Sequence, residues 1–310
     1  MRALIRSSIL FSAVLLVGCG ADDIQAPSPS AQLLLEGGAG RLEAAFDFTT
    51  IDVPNAVLTN AAGINPRGDI VGTYLDASRR SHGYILRDGA FTTIDYPGAL
   101  GTDARGIGPS GEIVGNYWFA GEPAVNIHGY LLTKRGEFVA VDHPGHTNTI
   151  IQRILPDGTM LGCRHDGDLM ASMKGLVISG SGSEEIDEFA SMVNGATPDH
   201  GRIVGLYQNM MVTPARQEGF LISDGVFTSL LVPGSTMTVA WDMNPEGEIV
   251  GVYRNSAGFH GFVLGADGYT TVDVPGASAT RAFGINPRGD VVGSYVAGGR
   301  TYGFLATRTR

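Results

Sequence analysis

Cysteine is nearly absent: of 310 residues, only Cys19 and Cys163 carry a thiol. With Cys19 assigned to the processed N-terminus described below, no intrachain disulfide framework remains, and stability must come from a buried core, which a chain of this length can build. Long apolar runs are missing as well. Outside a short stretch over Ile9–Val17, nothing approaches the roughly 20 residues that a helix needs to span a bilayer. Basic residues are few, with 21 Lys and Arg against 31 Asp and Glu and a formal charge of −10. A nucleic-acid binder needs a basic footprint to neutralise phosphates, so that class is excluded, and no polybasic block points to anionic lipid. Gly-x-Ser-x-Gly, His-Glu-x-x-His and the phosphate loop are all lacking, which removes the common hydrolase and nucleotide signatures.

What is present begins with Arg2 and Arg6, the apolar run Ile9–Val17 and then Gly18-Cys19. A basic start, a short apolar stretch and small residues at the cleavage point mark a signal peptide and not a membrane span. Leu16-Val17-Gly18-Cys19 resembles the lipobox of bacterial lipoproteins, in which the cysteine is acylated and becomes the mature N-terminus. The resemblance implies lipidation of Cys19. Gly20, where an Asp would signal inner-membrane retention, implies an outer-membrane or cell-surface, extracytoplasmic location. Loss of Arg2 and Arg6 leaves 19 basic residues against 31 acids, a mature balance of −12. Residues 20–45 contain Ala26-Pro27-Ser28-Pro29-Ser30 and Gly37-Gly38-Ala39-Gly40, the composition of a flexible tether.

From residue 46 to 310 the sequence repeats itself. Gly63-Ile64-Asn65-Pro66-Arg67-Gly68-Asp69-Ile70-Val71-Gly72 returns almost unchanged at 284–293, with weaker copies between. Its turn glycines, 68, 111, 158, 201, 247 and 289, stand 43, 47, 43, 46 and 42 residues apart. A second signature, His82-Gly83-Tyr84, and a third, Phe48-Thr49-Thr50-Ile51-Asp52, each occur in six copies. β-Branched and aromatic runs cut by Gly-containing turns are strand chemistry, and four strands in just over forty residues is the period of a propeller blade. We place strand a at 61–65, b at 69–75, c at 82–87 and d at 90–95. The chain opens on a lone d-type strand, 46–52, and ends after a c-type strand, 302–307. Joining these two makes a closed, all-β, six-bladed β-propeller of four-stranded blades with no exposed sheet edge.

The segments Ala282–Tyr295, His260-Gly261-Phe262 and Tyr269–Ala277 resemble the HAF-type probable extracellular repeat family. The resemblance runs over 46–310 and is weakest in blades 3 and 4. It implies extracytoplasmic placement and a repeat fold, and it carries no catalytic motif to transfer.

Six copies in one chain separate architecture from function. Thr59, Thr102, Thr149, Ser191, Thr238 and Thr280 fill one position with a hydroxyl, which reads as a loop-bracing hydrogen bond. Asp52, Asp95, Asp142, Asp187 and Asp273 end strand d, where a short acid accepts backbone N–H groups. His82, His128 and His260 share a repeat position and read as scaffold. Loop length varies most in the b–c and d–a connections, which emerge on one face, while the a–b and c–d turns stay short. That face is therefore expected to carry binding. Eight of the nine methionines lie between Met160 and Met243, so Met170, Met173, Met210 and Met211 suggest a soft apolar surface at the loop tips of blades 3 and 4. Asp103, Arg105, Trp241 and Arg281 lie near strand a and suit a carbohydrate or acidic ligand at the axial mouth.

His143, His146 and His165, with Cys163 and nearby methionines, are candidate soft-metal ligands. The spacing His143-Pro144-Gly145-His146 is not specific, however, and Cys163 sits where other blades have a small strand residue. No metal or other cofactor, and no catalytic residue, is assigned. The expectation is a monomeric, lipid-anchored binding scaffold for a protein or carbohydrate ligand, touching the membrane through its lipid alone. The alternative is a propeller enzyme acting on a glycan or similar cell-surface polymer, which needs two or three convergent acids or bases at the mouth.

Overall fold

The computed structural model describes residues 46–122, 126–167, 172–186 and 189–309. The signal segment, Cys19, the tether, Met170 and Asp187 lie outside them.

The first strand, β1 (Phe46–Ile51), belongs to the last blade. Blade 1 then shows how the repeat folds. Strands β2 (Leu58–Ile64), β3 (Ile70–Leu75), β4 (Ser81–Arg87) and β5 (Ala90–Ile94) pair antiparallel in chain order. Between β2 and β3 the Gly68 N–H donates to the Asn65 carbonyl at 3.0 Å. The Asn65 side-chain oxygen accepts the N–H groups of Arg67 and Asp69, each at 3.0 Å. An Asx turn with Gly68 at φ +93° is what Asn-Pro-Arg-Gly is built to make. Blades 2 to 5 repeat the pattern as β6–β9 (101–141), β10–β13 (148–186), β14–β17 (191–230) and β18–β21 (237–272). Strands β22–β24 (279–308) take β1 as their fourth strand. The register from Phe46↔Arg308 to Ile51↔Gly303 closes the ring as the sequence predicts. The molecule is a six-bladed β-propeller, and blades 3 and 4, where the repeat is faintest, form the same four strands.

Strand a starts three residues earlier than expected, at Leu58 and not at Ala61. The reason is a β-bulge in every inner strand, at Ala62, Arg105, Gln152, Asn194, Trp241 and Phe283. One extra residue bends the strand and breaks the period-two alternation by which a strand is read.

The glycine of each Val-Gly pair is required by close approach. A Cβ on Gly72 would lie 1.9 Å from the Asn60 carbonyl oxygen, and the five equivalents are as tight. The space above is taken by a fully buried ring, Tyr84, Tyr130, Phe220, Phe262 or Phe304, with Leu176 in blade 3. Burying each phenylalanine or leucine of this set contributes roughly 1.5–3 kcal/mol, whereas the hydroxyls of Tyr84 and Tyr130 are buried without a partner among the described residues and offset part of that gain. The core lies between blades: Ile51, Val53, Ala61, Tyr84 and Val292, for example, weld blade 6 to blade 1.

The hydroxyl position braces loops as expected. Thr59, Thr102, Thr149, Thr238 and Thr280 accept the backbone N–H of the residue six positions earlier, at 2.7–3.1 Å. Ser191 follows a shorter connection and accepts from Gly175 N instead. The strand-d aspartates differ from expectation, because the partner is a side chain and not the backbone. Asp95, Asp142 and Asp273 contact Nδ1 of His82, His128 and His260 at 2.8, 3.1 and 2.7 Å. Each of those rings stacks on a strand-b tyrosine (Tyr74, Tyr117 or Tyr253) at 5.0 Å. Scaffold histidine and scaffold aspartate are thus two halves of one contact.

Candidate functional site

Around the axis the position of Gly63 is filled by Gly63, Gly106, Arg153, Gly195, Asp242 and Gly284. The two exceptions meet. Arg153 Nε lies 3.1 Å from Asp242 Oδ2, and both side chains are largely buried. The same guanidinium donates to the carbonyls of Arg105 at 2.9 Å, Gln152 at 2.8 Å and Ala62 at 3.2 Å, and to that of Phe283. All four are bulge residues, so one arginine satisfies inward-facing carbonyls of blades 1, 2, 3 and 6 that the bulges leave without a ladder partner. Asp242 accepts Met243 N at 2.9 Å and Ile285 N at 3.2 Å, and burial pushes its carboxyl up despite Arg153. Loop lengths place Arg153 and Asp242 in register with the glycines. The signal for the pair was the residue change at that register, and sequence reasoning passed over it.

On the a–b turn side, Arg153 and Asp242 line a pit of about 130 Å³ rimmed by Pro66, Pro109, Pro156, Pro198, Pro245 and Pro287. A wider hollow of about 530 Å³ opens on the same side, between Pro109, Thr133 and Asp157. Both lie opposite the b–c and d–a loops. The pit's rim repeats the same residue in every blade, and its charged lining is already engaged, so it reads as architecture.

Toward the loop face the axis is lined differently. The residue two before each bulge pairs with one strand-b residue, giving Asn60↔Thr73, Asp103↔Asn116 and Arg281↔Ser294 in blades 1, 2 and 6. Blades 3, 4 and 5 give Ile150↔Cys163, Met192↔Leu206 and Val239↔Val252. Three consecutive blades are polar and three are apolar.

Sequence-selected residues fall on both sides of this divide. Asp103 accepts from Arg105 Nη2 at 3.0 Å and from Ser81 Oγ at 2.7 Å. The Arg105 Nε is buried without a partner among the described residues, as is Asn60 Oδ1. Arg281 stacks its guanidinium 4.3 Å from the Phe259 ring and has no carboxylate partner among the described residues. Desolvation lowers its pKa. Trp241 packs edge-on to Phe283 at 5.6 Å and against the apolar cluster of Cys163, Met173, Met192, Leu206 and Val239.

The methionine expectation is corrected in part. Met173 is 2% exposed and belongs to that inner cluster, whereas Met210 and Met211 stand at 72% and 89% on the blade 4 loop. The exposed methionine surface among the described residues is therefore this pair alone. Burial pushes the Cys163 thiol up to about 12, and Cys163 packs among apolar side chains outside the His143, His146 and Glu185 group, so it is a core residue and not a soft-metal ligand. His143 and His146 come together, with ring centroids 5.2 Å apart. His165 turns away, its Nδ1 on the Asp166 carbonyl at 3.0 Å. Glu185, which sequence reasoning did not select, takes its place 3.5 Å from His143 Nε2.

No family model matches the chain, and no curated protein matches it. Solved structures do. AofleA from Arthrobotrys oligospora is 12% identical, with 85% of this chain covering 87% of that one and a TM-score of 0.53. A gluconolactonase from Xanthomonas campestris is 12% identical over 85% of this chain and 95% of that one, with a TM-score of 0.50. The β-propeller domain of the trilobed protease from Pyrococcus furiosus, with its open velcro topology, is 9% identical over 81% and 94%, again at 0.50. At such identities the likeness is one of fold: this chain shares the propeller architecture with enzymes and other proteins of differing activity.

Proposed function

We propose that this chain is a lipid-anchored, extracytoplasmic binding propeller of the HAF repeat type, whose loop-face axial mouth takes an acidic carbohydrate. One observation carries the reading: the six equivalent inner pairs divide into a polar half (Asn60, Asp103, Arg281) and an apolar half (Ile150, Met192, Val239). A scaffold needs no such division. An acidic sugar presents an apolar face for Trp241 and a carboxylate for Arg281 and Arg105. The enzyme alternative requires free convergent acids or bases. The carboxylates at the axis, Asp103 and Asp242, are each engaged by an arginine, which favours binding over catalysis.

The test is titration of the purified chain with oligogalacturonate, followed by hydrogen-exchange mapping. Binding should protect the b–c and d–a loops, and Trp241→Ala or Arg281→Ala should each weaken it about tenfold. Absence of binding overturns the acidic-carbohydrate assignment. Protection on the a–b and c–d turns overturns the choice of face.

A further inference from the structure

We propose that His143, His146 and Glu185 form a three-ligand site for a divalent transition cation, zinc in type, on the loop face between blades 2 and 3. The inference is independent of the axial mouth.

Comparison of blades supplies the first argument. Four other d–a connections have the same length as the one carrying His143 and His146. At the position of His143 they have Val53, Tyr96, Val232 and Val274, and at that of His146 they have Ala56, Ala99, Ser235 and Ala277. Most of these side chains are buried against the following blade. Imidazoles at both positions occur in this loop alone. Glu185, opposite Leu176 on strand β13 (Gly182–Ile186), stands where the other blades have Thr50, Thr93, Ala140, Ser229 and Thr271. Three departures from the repeat, on two elements, therefore converge at one place.

Geometry supplies the second. One ligand atom from each of the three residues lies within 4.8 Å of the others, and His143 Nε2 is 3.5 Å from Glu185 Oε1. Ligand atoms about 2 Å from a tetrahedral ion stand about 3.3 Å apart, close to the His143–Glu185 separation, and drawing the whole set together needs a contraction of at most about 1.5 Å, within reach of side-chain rotation. The outer contacts orient the set. Asp166 Oδ2 holds His146 Nδ1 at 3.0 Å, which leaves Nε2 as the ligand atom. Asp166 is itself fixed by Thr147 N at 3.1 Å. The His143 Nδ1 is buried without a partner among the described residues. Arg164 grips Glu185 through both oxygens at 3.0 and 2.6 Å. Each carboxylate oxygen keeps a further lone pair, so this fork aims the group without using it up.

A structural explanation covers only part of this. Arg164–Glu185 replaces the tyrosine–threonine bond of other blades, such as Tyr74–Thr93 at 3.0 Å and Tyr253–Thr271 at 3.1 Å. That accounts for Arg164 and Glu185 but not for two histidines where apolar side chains serve elsewhere. Three protein ligands leave a fourth position open to water or to an external ligand.

The experiment uses untagged chain, stripped with chelator and titrated with Zn²⁺ by calorimetry, and with Co²⁺ followed by visible absorption. One ion per chain should bind. Binding should vanish in the His143→Val/His146→Ala double variant, which restores residues that other blades already carry and so should fold. Asp166→Asn should weaken it about 10-fold to 100-fold, and His165→Ala should leave it unchanged. Glu185→Gln should abolish the tetrahedral Co²⁺ spectrum. The proposal is overturned if stoichiometric binding is absent, or if the double variant binds as the parent does.

Discussion

At the scale of single residues, the most consequential side chain is Arg153. It occupies a glycine position, sits among backbone carbonyls of four blades and meets Asp242 from a fifth. Removing one member of such a pair leaves an uncompensated charge in a desolvated place. Arg153→Met and Asp242→Ala should therefore each cost about 3–5 kcal/mol in urea unfolding. Returning both positions to glycine should cost less than either single change. A double variant as unstable as the worse single one would show that the carbonyl contacts, and not the charges, dominate. Glu185 gives a prediction in pH. The Arg164 guanidinium holds its carboxyl below the ordinary 4.5. A depressed folded pKa means stability that is present above that value and lost as pH falls through the folded one. In chelator-stripped protein, Glu185→Gln should flatten the acid limb of the stability–pH curve below about 4.5, read by thermal melts across pH 3–6.

At the scale of elements, strand identity and turn type were legible because each unit is written six times. Asn65-Pro66-Arg67-Gly68 names its own turn, and Phe48-Thr49-Thr50-Ile51-Asp52 names an outer strand that lacks a blade of its own. Strand β1 then pairs with β24 residue by residue. Deleting 46–51 should leave β24 with an unsatisfied edge, and the product should self-associate in light scattering, whereas an unchanged monomeric melt would refute the closing role. The inner strands were less legible. A bulge adds a residue without any composition cue, so the start of strand a was placed too late. The partner of the strand-d aspartates was also missed, because linking His82 to Asp95 requires knowing which side chains share a face across two strands.

At the scale of the molecule, the ring and its two unlike faces follow from repeat length and loop length. The candidate site does not follow so directly. Asp103, Arg105, Trp241 and Arg281 were selected as neighbours of strand a, but their division into a polar and an apolar half depends on how blades face one another around an axis. The same limit hid the meeting of Arg153 with Asp242, which are distant in sequence and alike only in register. His165 was grouped with His143 and His146 by proximity in the chain. Glu185, one strand outward, is what the fold brings to them.

Closure through β1 also sets an order of events. Blades 1 to 5 are each made from consecutive strands, so each can form once its own residues and a neighbour are available. Blade 6 cannot. Its outer strand is the first of the ring to leave the ribosome and waits for the last, and the two must find each other across a long entropic loop. Until then Phe46, Phe48 and Ile51 have no sheet to cover, and the surface that will seal the ring is the one most exposed to capture by other chains. A propeller built this way is vulnerable during synthesis and folding for as long as its final strand is missing, and any helper that shields the segment at 46–51 would act on that interval alone.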